Sequence, residues 1–122
     1  MRTRLSGAWC RRHHRLTGGW LNYFFYKLNA PRPTFPDDIT PAELVLMQQH
    51  IAYLTGLMKQ GMVVAFGPVV DPGGSYGIGI LRLENSEDAM AVGANDPAVR
   101  ADAGFSFEVR PMPRLVLSGA IQ

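Results

Sequence analysis

The chain has 122 residues, 47% of them apolar and 18% charged, a globular composition of single-domain size that excludes a disordered or fibrous class. No apolar run approaches the length of a membrane span, and the single cysteine, Cys10, excludes an internal disulfide framework and fits a cytoplasmic, reducing location. The net charge of +2 is unevenly placed. Residues 1–19 carry Arg2, Arg4, Arg11, Arg12 and Arg15 and no acid, so residues 20–122 hold 7 bases and 10 acids, a net of −3.

The segment 1–19 reads as a basic leader outside a single domain of residues 20–122. It has no sustained apolar core, so it is a poor secretory signal. A disordered arm, or upstream sequence added by a misassigned start codon, is the expectation. Nucleic-acid binding would rest on this leader alone, and none is expected of the acidic domain. Cys10, His13 and His14 lie together there, but adjacent histidines on a flexible arm lack the fixed geometry of a metal site, so no metal is expected.

Leu21–Leu28 (LNYFFYKL) is short, aromatic and bounded by turn formers, as a first strand is. A proline-rich loop, NAPRPTFPDD, follows and is placed to cover a pocket or simply to connect. Thr40, Pro41 and Glu43 form a strong helix start, a capping box with proline at the first helical position. Leu44, Met47, Ile51, Leu54 and Met58 recur at spacings of three and four, which predicts one apolar stripe ended by Gly61. Met62–Val70 is a second strand, with Gly67-Pro68 expected to break or bulge its pairing because proline lacks a donor. Asp71–Ser75 is a turn, and Tyr76–Glu84 a third strand.

Ser86 is expected to cap a second helix that ends near Asn95, with Glu87 and Asp88 at its positive end. Asp96-Pro97 opens one further helical turn. Phe105–Met112 alternates as a fourth strand, and the tail PRLVLSGAIQ has the makings of an edge strand. The order β-α-β-β-α-β is the ferredoxin-like, split βαβ arrangement, an α+β fold. Two helices on one face leave the other sheet face bare, which predicts a homodimer through that face.

His50 lies between Met47 and Leu54, along the border of the predicted stripe. Position alone suits a hydrogen-bonded core histidine as well as a catalytic one, and it has no metal-ligand partner at i+3 or i+4. Asp96 suits an N-cap, and equally a carboxylate that orients an imidazole for general acid/base work. Gly67-Pro68 suits either a bulge or a flat pocket wall. Tyr23, Tyr26, Tyr53 and Tyr76 read first as core or interface residues, one of which could place its hydroxyl in a pocket. Ser75 has no sequence neighbour that would make it a nucleophile.

Two blocks resemble the YciI-like (YCII-related) family. QHIAYLTGLMKQGMVVAFGPV is similar to its H-x-x-x-L-x-x-L block running into G-P. NDPAVRADAGFSFEVRPM is similar to its D-P-x-V-x-A-G block leading into a strand. Here Ala101-Asp102 precedes Ala103-Gly104, two residues more than the compact form, which leaves Asp102 as a rival acid. The resemblance implies a dimeric α/β barrel, with a His–Asp pair, His50 and Asp96, in a pocket between the first long helix and the sheet. Relatives of that barrel include muconolactone-isomerase-like enzymes and a dehydrochlorinase. The implied function is a cofactor-independent isomerase or lyase that moves protons on a small cyclic or aromatic-derived molecule, with Gly67 and Pro68 against the substrate. The alternative is a non-catalytic small-molecule-binding or regulatory module.

Overall fold

The structure, a computed structural model, describes residues 21–119. The leader 1–19, with its expected disorder, lies outside the described residues. Four strands and three helices follow in the order β1 (Asn22–Asn29), α1 (Pro41–Lys59), β2 (Val63–Val69), β3 (Tyr76–Leu83), α2 (Ser86–Ala94), α3 (Pro97–Arg100) and β4 (Ser106–Met112). The strands form one antiparallel sheet ordered β2-β3-β1-β4, consistent with the ferredoxin-like arrangement.

Period-two alternation sorts the sheet into two faces. Phe24, Tyr26 and Leu28 of β1 and Leu81 and Leu83 of β3 point to the helices and are buried. Each buried leucine there contributes roughly 1.5–3 kcal/mol of transfer free energy. Tyr23, Phe25 and Lys27, with Ile78, Ile80 and Arg82 opposite, lie on the other face and are half-buried. α1 packs on β2 and on α3, while α2 packs on β3 and β4. The short α3 therefore brings the residues around Asp96 against the middle of α1.

α1 starts as expected. Thr40 accepts from the Glu43 amide at 3.1 Å, and Glu43 accepts from the Thr40 amide at 3.0 Å. It ends at Gln60, with Gly61 at φ 84° in the left-handed region that glycine favours. The apolar stripe holds only in part: Leu54 is in the core and Met47 and Met58 pack against it, but the other two members do not. Leu44 and Ile51 are 49% and 52% exposed. The face turned inward is Glu43, His50, Leu54 and Leu57. It is rotated by about one residue from the hydrophobic pattern because Glu43 and His50, polar residues with polar partners, occupy core positions. His50 therefore lies within the buried face, not at its border.

Three smaller expectations also change. Asn85, not Ser86, caps α2, its side chain accepting from the Asp88 amide at 2.9 Å. Gly67-Pro68 does not interrupt the ladder, which continues through Gly67–Ile78 and Pro68–Gly77, and the irregularity falls earlier, between Val63 and Ala65. β2 is an edge strand, where a missing proline donor is tolerated. The tail forms no strand over residues 113–119.

Candidate active site

Asp96 ends the stretch after α2 and caps α3, accepting from the Ala98 amide through Oδ1 at 3.0 Å. Its other oxygen is turned to the core. Oδ2 lies 2.7 Å from His50 Nδ1 and accepts the Tyr26 hydroxyl hydrogen at 2.8 Å. Asp96 is fully buried and His50 nearly so. The capping role and the pairing role thus coexist, one on each oxygen.

Three donors converging on one buried carboxylate complement its ionised form. They also fix the imidazole. Because Oδ2 is an acceptor, Nδ1 carries the hydrogen in the neutral ring, and Nε2 presents a lone pair. Nε2 makes no hydrogen bond to the protein among the described residues. A carboxylate–imidazole pair of this form has the chemistry of an acid/base relay, in which Nε2 can take a proton and the adjacent carboxylate stabilise the resulting imidazolium.

The two tyrosines around the pair are held protonated. Burial pushes the Tyr26 hydroxyl well above its usual range, and the neighbouring Asp96 charge and hydrogen bond push it further. Burial, then the same charge, raises Tyr53. Tyr53 donates to the Val92 carbonyl at 2.7 Å, satisfying an end carbonyl of α2 and tying α1 to it.

His50 lines a cavity of about 380 Å³ between α1, the sheet and the Ala30–Ile39 segment. Its walls are mainly apolar and aromatic. Phe35 and Phe105 meet edge to face across one side, with ring centroids 5.4 Å apart. Gly67 and Pro68 line it as the sequence suggested, together with Met47 and Phe66. Gly67 is not there to make room, since a Cβ built on it would meet nothing within 4 Å. Ser75 shares the cavity with His50, a neighbourhood that only the fold creates. The size and lining are those of a site for a small organic molecule.

Arg32 ties the proline-rich loop to α1. Arg32 grips Glu43 with two parallel hydrogen bonds, Nη1 at 2.7 Å and Nη2 at 2.8 Å, and reaches Asp38 through Nε at 2.9 Å. Thr34 donates to Asp38 at 2.6 Å. These contacts fasten the loop to the first turn of α1 and set Phe35, Pro36 and Ile39 as the cavity wall. The Arg32 guanidinium holds the Glu43 carboxyl down at about 2, with the Thr40 amide adding to the effect.

Asp102 is not the partner acid. It lies exposed in the turn after α3, at φ 55°. The acid that reaches His50 is Asp96. Sequence reasoning did not assign Tyr26 to Asp96. Its only signal was an aromatic hydroxyl on an inward position of β1, which burial obliges to find a partner. Among the described residues, no three His, Cys, Asp or Glu side chains cluster as a metal ion requires. No described helix is long and apolar enough to cross a membrane.

No curated protein matches the chain. A family model described as YCII-related domain matches residues 25–113, well over half its length, and spans both His50 and Asp96. The chain belongs to the YCII-related domain family.

Proposed function

We propose that this protein is a small cofactor-independent enzyme that moves protons on a small cyclic or aromatic-derived substrate, of the isomerase or lyase type. The carrying observation is the 2.7 Å His50–Asp96 pair with the free edge of the imidazole on an apolar cavity. His50 Nε2 takes a proton from substrate carbon and returns it to another atom, or gives it to a leaving group. Asp96 holds the ring in one tautomer and stabilises the imidazolium. Tyr26 holds Asp96 and does not itself touch the substrate. An apolar lining lowers the local dielectric, which strengthens the attraction between imidazolium and carboxylate.

The half-buried sheet face, with Tyr23, Phe25, Ile78 and Ile80 on it, is the surface a second copy would cover. A homodimer through that face completes the reading. It predicts dimer mass by light scattering, and monomers for Phe25→Lys.

The test of catalysis is deuterium exchange. The protein is incubated in heavy water with cyclic ketones, lactones and halogenated hydroxyaromatics, and substrate C–H signals are followed by NMR. His50→Ala is expected to remain folded and to abolish catalysed exchange. Undiminished exchange by folded His50→Ala overturns the assignment. Ligand binding without exchange by the wild type favours the binding-module alternative.

A further inference from the structure

β3 carries two glycines, Gly77 and Gly79, opposite Leu28 and Tyr26 of β1 and so on the face turned to the helices. A strand interior disfavours glycine, which loses more chain entropy on folding than any other residue and offers no side chain to pack. Neither backbone nor packing requires it at Gly77. The Gly77 backbone lies outside the left-handed region. A Cβ built there would meet Leu28 Cβ at 3.7 Å and the Gly67 carbonyl oxygen at 4.0 Å, ordinary contact distances, and nothing else within 4 Å among the described residues.

Gly79 differs. A Cβ there would come 3.5 Å from Phe66 Cβ and 3.7 Å from the Tyr26 ring, so protein side chains already cover it. Over Gly77 lies the His50 cavity. Leu28, its ladder partner, points to the helices and lines that cavity, and Gly77 lines it too. The missing side chain therefore leaves bare peptide in the sheet wall of the cavity, with Met47, His50 and Ile51 of α1 on the helix wall. A strand glycine of this kind marks a place where another molecule approaches the backbone closely.

We propose that Gly77 is a specificity-determining residue of the His50 cavity: a planar aromatic ring lies flat on its peptide, in the space a side chain would take. This rests on the reading of that cavity as the substrate site. It narrows the cyclic or aromatic-derived substrate to a flat one. Bare peptide gives a planar ring contact over its whole face, whereas a saturated ring, with hydrogens above and below its mean plane, stands off and loses dispersion contacts.

The test titrates phenol, 2-naphthol and decahydro-2-naphthol into the full chain, Gly77→Ala and Gly77→Val while the His50 ring signals are followed by NMR. The wild type is expected to prefer 2-naphthol to its saturated counterpart. Gly77→Ala is expected to keep or raise the urea midpoint, because its methyl group meets only ordinary contacts. Gly77→Val is expected to weaken 2-naphthol by about tenfold and phenol less, the effect of overfilling the slot. The alanine variant reads the same ratio in a smaller step, and His50 keeps its Nδ1–H tautomer in both. A Gly77→Ala chain clearly less stable than the wild type makes this glycine a packing requirement and overturns the proposal. So does 2-naphthol affinity undiminished in both variants, an equal loss of phenol and 2-naphthol, a preference for the saturated ring, or no response of His50 at millimolar ligand. The outcome is separable from the catalytic reading. Flat-ring binding that depends on Gly77, beside undiminished exchange in folded His50→Ala, retains the ligand class and removes the catalyst.

Discussion

His50 and Tyr26 hydrogen-bond to the same atom, Asp96 Oδ2, at 2.7 and 2.8 Å. One oxygen accepting twice leaves the imidazole no choice of orientation. A ring flip would place a carbon edge against the carboxylate, and the other tautomer would set a lone pair against it. The neutral ring is therefore expected to be protonated at Nδ1 and bare at Nε2. Ring nitrogen-15 shifts measured on the whole chain read this directly. In Asp96→Asn the amide can offer either its oxygen or its hydrogens, so a mixture of tautomers is expected. A wild-type ring protonated mainly at Nε2 contradicts the relay.

Tyr26→Phe removes a donor from a buried carboxylate while keeping the ring that stacks on Phe107 at 5.9 Å. The expected loss is about 1.5–3 kcal/mol of stability, the usual range for a hydrogen bond to a charged group. The pH dependence carries a sign. The folded-state pKa of Tyr26 is raised, by burial first and by Asp96 second, so its contribution is complete below the unfolded value of 10.0 and is lost as the pH rises beyond it. Urea midpoints of wild type and Tyr26→Phe are thus expected to converge above about pH 10. A constant gap into alkali contradicts the buried-phenol account.

The starts of α1 and α3, the succession of strands and helices along the chain and the Asp96 cap were legible because each depends on local chemistry: a capping box, alternation, and a proline after an acid. The buried face of α1 was not. Hydrophobic periodicity counts Leu44 and Ile51 as core, and it cannot know that Glu43 and His50 find Arg32 and Asp96 as partners. Such partnerships span 46 residues for His50 and 70 for Tyr26, and no window along the chain contains both ends. The pair itself was reached through family resemblance, and its third member needed the fold. Pro68 was misread for a related reason, since strand position at a sheet edge is decided by topology and not by the strand's own residues.

Gly93 reverses the ordinary rule for glycine in a helix. By propensity alone, alanine in place of a glycine within a helix is better by up to about 1 kcal/mol, and less in a last turn such as that of α2 where Gly93 stands. A Cβ built at Gly93, however, overlaps the ring of Phe107. Gly93 is buried, and the Phe107 ring is itself stacked on Tyr26. Gly93→Ala is expected to destabilise by roughly 1–3 kcal/mol, the range for overpacking. Phe107→Leu in the same chain is expected to recover part of it, which a double-mutant cycle in urea measures. An alanine at 93 that stabilises would show that the ring has room to move.

The last expectation concerns acid. Arg32 holds the Glu43 carboxyl at about 2, against 4.5 in a free chain, and lowers Asp38 as well. Both folded-state values are depressed, so their stabilising effect is present above the unfolded value and is lost as the pH falls from about 4.5 toward 2. Glu43→Gln keeps a side chain able to accept from the Thr40 amide but cannot titrate. Its stability is expected to fall less steeply through that window than the wild type's. Salt weakens the effect, because Arg32 is partly exposed, with 30% of its side chain accessible. The same contacts hold Phe35 and Pro36 over the cavity, so Arg32→Met is expected to weaken binding of a neutral aromatic probe at pH 7 while His50 keeps its Nδ1–H tautomer. Loss of that tautomer along with the affinity would mean that the loop supports the relay and not only the wall.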